Sequence, residues 1–150
     1  MVFQDKVCSV DSLAVLQYRE EVISQFFESA IQRYVDNGAD RLNAFFAALK
    51  EWFESKGFRG CSFINAVVEL ADSNHPASQF SADHKEVFHK MIGSVITETH
   101  GPKAVAFVPA ISLMVEGAIV TAVMEGNPNS ADVAREAAIA MVSSKQTRRK

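Results

Sequence analysis

Residues 104–124 read AVAFVPAISLMVEGAIVTAVM, a run of 21 positions with a single charge, Glu116. That length is enough to cross a bilayer, so the fold class turns on how this stretch is read. Glu116 counts against a membrane span. An unpaired carboxylate at the midplane costs about 2.5 kcal/mol or more, Pro109 interrupts the helix ladder, and neither flank carries a basic anchor cluster. The stretch is expected instead to be a helix that protein covers on nearly every side, with no membrane contact.

That cover has to come from the rest of the chain. With 150 residues, 48% of them hydrophobic and only four prolines, the sequence is long enough for one domain with a substantial core. A net charge of −3 gives no general attraction to phosphate backbones. The one basic patch is the tail KQTRRK, residues 145–150, where Lys145, Arg148, Arg149 and Lys150 follow the last periodic segment and are expected to be a solvated end. Two distant cysteines, Cys8 and Cys61, with no secretory signal ahead of them, indicate free thiols in a reducing compartment, the cytoplasm.

Working back towards the N-terminus, every long segment has helical period. Between Asp11 and Asp36, Leu16, Ile23, Phe27, Ile31 and Tyr34 recur at helical spacings, and Gly38 is placed to end the helix. After Asp40 the pattern resumes with Leu42, Phe45, Phe46, Leu49, Trp52 and Phe53, and Gly57 stops it. A short helix is expected from Ser62 to Asp72. SNHPASQF has loop composition, and Ser81 is expected to cap a helix carrying Phe88, Met91, Ile92 and Val95 on one face until HGP breaks it. Pro102 suits the first turn of the apolar helix. Beyond it, Gly126, Asn127 and Pro128 form a break, and Asn129 or Ser130 opens a last helix with Val133, Ala134, Ala137, Ala138 and Met141 on a narrow apolar face. No strand pattern, internal repeat or low-complexity tract interrupts this order. An all-α, six-helix bundle follows over residues 11–144, with a short lead at residues 1–10. The last two helices carry more apolar surface than four other helices can cover, so a second copy of the chain is expected to cover it.

The ordered set of a long helix, LNAFFAALKEWFESKGFRGCSFINAVVEL, a loop with HP, and LMVEGAIVTAVMEGNPNSADVAREA resembles the C-terminal ligand-binding and dimerisation domain of TetR-family transcriptional regulators. The likeness spans roughly residues 11–144, and its markers are the GFRGCSFIN turn, the triplet Glu116–Gly117–Ala118, and the polar turn GNPNSADVAREA. The resemblance implies a homodimer held by a four-helix bundle made from the last two helices of each chain. It also implies an effector cavity among the middle helices of each subunit. The family's DNA-reading module precedes the long helix; here MVFQDKVCSV stands in that place, and ten residues cannot build three helices. SVDSLAVLQYREE resembles the junction that follows the module, although Val10 sits where the family often has lysine. The chain is therefore expected to begin about where the DNA-contacting part ends, by natural absence or by truncation, and to make no sequence-specific DNA contact itself.

The expected dimer interface lies within Ala104–Met124 and Asp132–Val142, at Ile111, Val115, Gly117, Ala118, Thr121, Val133, Ala137 and Met141. The expected effector site is lined by Phe27, Phe46, Cys61, Asn65, Phe88, Met91, Phe107 and Met114, aromatics and methionines with one thiol and one amide among them, the makeup of a site for a small apolar or aromatic molecule. Cys61 and Asn65, four apart, are expected on one inward face. Cys61 is either a reactive thiol, a candidate sensor of oxidants or electrophiles near a helix N-terminus, or a small buried hydrophobe. Asn65 is either a satisfied core amide or a ligand contact. Glu69, one turn on, is expected to face solvent or pair with a base.

Enzymatic chemistry finds little support. His84 and His89 lie five apart, about 140° around a helix, which is not one ligand face, and Asp83 and Glu86 do not repair that. His75 and His100 stand elsewhere, no serine sits in a nucleophile elbow, and there is no Gly-rich phosphate loop. Neither a metal nor a cofactor is expected. Two functions remain: an effector-sensing and dimerising domain of a repressor-like regulator, or a partner without a DNA-binding module that pairs with a complete regulator and titrates it.

Overall fold

The computed structural model describes residues 11–144; the lead with Cys8 and Val10 and the basic tail 145–150 lie outside the described residues. The fold is all-α. Among the described residues six α-helices follow in order: α1 (Asp11–Asp36), α2 (Arg41–Glu54), α3 (Ser62–Leu70), α4 (Pro76–His100), α5 (Val108–Glu125) and α6 (Ser130–Ser144), with a 3-10 turn over Pro102–Phe107 before α5.

Three boundaries differ from those expected, each for a local reason. The loop before α4 is shorter than its composition suggested, because Pro76 occupies the first turn and His75 caps it, its Nδ1 accepting the Ala77 N–H at 3.1 Å. Ser81 is consequently inside the helix, its hydroxyl donating to the Ala77 carbonyl at 2.7 Å. Pro109 does not interrupt α5 but stands in its first turn, where a missing N–H costs nothing. And α3 ends at Leu70 rather than Asp72, since Ala71 turns into the left-handed region at φ 50°.

The main core is built where α2 lies against α1, α4 and α6, and α5 packs on α4 and α6. Leu42, Phe45, Phe46 and Leu49 of α2 are almost fully buried beside Phe27 and Ile31 of α1 and Ile92 and Ile96 of α4. Polar contacts fix the helix register. Asp40 caps α2 by accepting from the Asn43 N–H at 2.9 Å. Burial works to raise the Asp40 pKa, but hydrogen bonds from Asn43 and the Leu42 N–H outweigh it and hold the carboxyl below its usual range. The Arg33 guanidinium and the Tyr34 hydroxyl both donate to Glu51, at 2.9 and 3.0 Å, joining α1 to α2, and the Arg33 bond holds the Glu51 pKa down. Lys50 reaches Asp132 in the first turn of α6 at 2.6 Å.

A second, smaller cluster stands apart from this core: Leu16 of α1, Phe63 of α3 and Ala77 of α4, with Cys61, Ala66, Leu70 and Phe80 half-buried around it. Helix α1 therefore spans two apolar clusters, and the stretch between them is left uncovered.

Covering of α5 is one-sided within the chain. Ile111, Val115, Ala118 and Ala122 are buried, whereas Leu113 is 67% and Met124 80% exposed. By length and composition alone Pro102–Glu125 could cross a membrane. Its exposed positions instead form a stripe, Leu113, Gly117, Val120 and Met124, at the three- and four-residue spacing of a helix–helix seam. On α6, Val133 and Ala140 are likewise exposed.

Candidate functional site

The space between the two clusters is a cavity of about 950 Å³ bounded by α1, α3, α4, α5 and the α2–α3 connection. Helix α3 borders it by packing on α4 and α1 and not on α2. Gly60, at φ +82°, turns the chain so sharply, and so near α5, that a β-carbon there would stand 3.0 Å from Val123 Cγ2. Helix α3 is thereby set against the N-terminal halves of α1 and α4, held by its single buried side chain, Phe63. The His84 imidazole stacks on the Phe63 ring, centroids 3.5 Å and planes 14° apart, and its Nδ1 lies 2.7 Å from Glu20 Oε1. One contact set thus joins α3, α4 and α1.

The walls are mostly apolar. Val15, Val22 and Ile23 of α1 face Ile64, Val67 and Val68 of α3 and Val87, Phe88 and Met91 of α4 across the space. One end is closed by Phe27, Trp52, Phe58 and Ile119. Phe27 meets Trp52 edge-on at 5.9 Å, and Trp52 meets Phe58 at 5.0 Å, so that end is a fixed aromatic floor. Charged groups at the cavity are largely paired: Lys85 Nζ stands 3.1 Å from Glu116 Oε1 and His84 holds Glu20. Among the described residues no group of three or more His, Cys, Asp or Glu side chains could hold a metal ion.

Of the residues the sequence nominated, Phe27, Cys61, Phe88 and Met91 line this cavity. Phe46 does not; it is 2% exposed inside the main core. Phe107 and Met114 pack half-buried against that core, away from the lining. Asn65 points outward and donates to the Arg59 carbonyl at 3.3 Å, closing the reversal instead of facing the cavity. The inward pairing of Cys61 with Asn65 fails because Cys61 is the N-cap of α3, with extended backbone, and is not on a helical face. Burial, with Glu116 adding to it, raises the Cys61 pKa against the N–H groups of Ile64 and Phe63 that favour the thiolate. Cys61 is a free thiol whose burial favours the protonated form.

At the anticipated dimer face, Ile111, Val115 and Ala118 are buried in the chain's own core. Gly117 and Val133 are exposed, and Thr121, Ala137 and Met141 are half-buried. Sequence reasoning missed Val22, Trp52, Phe58, Phe63 and His84 in the lining. The run of apolar side chains at Ile64, Val67 and Val68, too many for one buried face of so short a helix, was the signal available.

Residues 38–138 match a family described as tetracyclin repressor-like, C-terminal domain. No curated protein matches the sequence. Among solved structures, a TetR-family transcriptional regulator from Streptomyces coelicolor is similar in fold, with a TM-score of 0.73 at 20% identity over 89% of this chain and 70% of that one.

Proposed function

Because this chain belongs to the tetracyclin repressor-like C-terminal domain family, a family of transcription regulators and not of enzymes, we propose that it senses an organic molecule in the cavity between α1, α3 and α4. The observation that carries this is the cavity itself, about 950 Å³ with apolar walls and an aromatic floor, a size and lining suited to a ligand rather than to solvent. Apolar side chains left open there, such as Val67 at 43% and Val22 at 47% exposure, gain about 25 cal/mol per Å² when a ligand covers them.

Dimerisation belongs to the same proposal. The stripe Leu113, Gly117, Val120 and Met124 of α5, with Val133 and Ala140 of α6, is apolar and exposed, and a second copy would cover it as a four-helix bundle. The chain is taken to work in the cytoplasm. A thermal-shift screen of apolar and aromatic compounds tests the sensing role: binders should raise the melting temperature of the wild type and not of a variant with the cavity blocked. If no compound does so, the sensing role is wrong.

A further inference from the structure

The cavity is chemically asymmetric along its length. Leu16 shares a cluster with Ala77, Glu20 pairs with His84, and Phe27 and Phe88 both pack on Phe45, so α1 and α4 run side by side in the same direction. One end is the aromatic floor. The other is bordered by the first turns of α4, and there Ser78 is 4% exposed, lines the cavity, and has no hydrogen-bond partner for its hydroxyl. A buried hydroxyl without a partner is destabilising, and a bound group can supply the missing partner. The first turn of α4 carries no acidic residue, and its Ala77, Ser78 and Gln79 amides are satisfied by His75, so that helix end contributes its dipole, positive towards the N-terminus.

The charges agree. Arg19, Arg59 and Lys85 line the cavity against one lining carboxylate, Glu116, a balance of +2 in a chain whose net charge is −3. Glu116 is taken by Lys85 and the neighbouring Glu20 by His84. Among the described residues Arg19 has no carboxylate within ion-pair distance, and it lines the cavity from α1 between Leu16, clustered with Ala77, and Glu20, paired with His84, alongside the first turns of α4. A cationic ligand would find no free carboxylate.

Resting on the sensing role proposed above, we infer that the effector is an elongated amphipathic carboxylate, its apolar body on the Phe27–Trp52–Phe58 floor and its carboxylate at the Ser78 hydroxyl and the Arg19 guanidinium. Both contacts are charge-assisted, the stronger class of hydrogen bond.

Decanoate, 1-decanol and decylamine share a chain length and differ in head group, and Trp52, the only tryptophan in the sequence, reports on all three by fluorescence. Titrated into the full chain, decanoate is expected to bind about tenfold or more tightly than either other compound. Ser78→Ala and Arg19→Gln should each cut that preference by about threefold or more, while Lys56→Gln, outside the lining, should leave it intact. Circular dichroism of each variant controls for folding. Equal binding of decanoate and 1-decanol overturns the carboxylate inference while leaving the sensing role standing, as does tighter binding of decylamine. Loss of the preference in Lys56→Gln but not in Arg19→Gln overturns the placement. If none of the three binds, both the inference and the sensing role fall.

Discussion

Phe63 and His84 lie ring on ring, 3.5 Å between centroids, and this contact is what holds α3 at the cavity wall. Phe63 is the only buried side chain of α3, and His84 is itself fixed by Glu20 of α1. Replacing Phe63 with alanine should cost about 3 kcal/mol, concentrated in α3. Amide hydrogen exchange is expected to lose protection over residues 62–70 and keep it in α2 and α5. Uniform loss across the chain would mean that the two clusters are not separate units.

Gly60 and Gly57 stand in the same connection and should respond oppositely to a methyl group. Gly60 has φ +82° and Val123 Cγ2 at 3.0 Å from the site of a β-carbon, whereas Gly57 has open space and no positive φ. Gly60→Ala should lose about 1–3 kcal/mol in chemical denaturation. Gly57→Ala should be neutral or gain about 0.4–1 kcal/mol by restricting the unfolded chain. Equal effects at both positions would contradict the turn geometry.

Acid should loosen the α1–α2 corner. Asp40 and Glu51 both have folded-state pKa values below their ordinary ones. Their contribution is therefore fully present above the usual carboxylate values, about 4, and is lost as pH falls through the lower folded-state values. Asp40→Asn should preserve the cap at neutral pH while flattening the dependence below about pH 4; Asp40→Ala should lose about 1 kcal/mol at neutral pH. Melting temperatures from pH 7 to 2 check both, and an Asp40→Asn profile as steep as the wild type's would refute the role of Asp40.

Gly117 offers a test of assembly that spares the fold. Nothing lies within 4 Å of where its β-carbon would be, so Gly117→Arg adds a charge on the exposed stripe without an internal clash and improves helix propensity by about 0.8 kcal/mol. Sedimentation should show monomers with unchanged helix content. An unchanged dimer would place the interface elsewhere.

The bundle was legible because long amphipathic helices announce themselves by period: Leu16 to Tyr34 in α1 and Leu42 to Phe53 in α2 sit where spacing put them. The start of α4 was not, since a histidine cap followed by proline has the composition of a loop until the Ala77 N–H is seen on His75. The site was half legible for a related reason. Spacing gives a helix face but not which neighbour that face meets. Phe46 and Phe88 both recur at apolar positions, yet Phe46 falls under the helix crossings and Phe88 at the gap between two clusters. Asn65 and Cys61 were misassigned together because the helix begins only after Cys61. At Ile111 and Val115 the opposite faces of one apolar helix were confused, a distinction that composition cannot make when both faces are hydrophobic.

The cavity as a binding site is the central claim, and energy transfer from Trp52 to 1-anilinonaphthalene-8-sulfonate tests it most directly, since the donor stands in the cavity floor. The wild type should show saturable transfer with one probe per chain. Val22→Arg places a charged side chain in the space from a wall position 47% exposed, with little effect on folding, and should abolish transfer. Transfer that does not saturate, or that survives Val22→Arg undiminished, would contradict a ligand site between α1, α3 and α4.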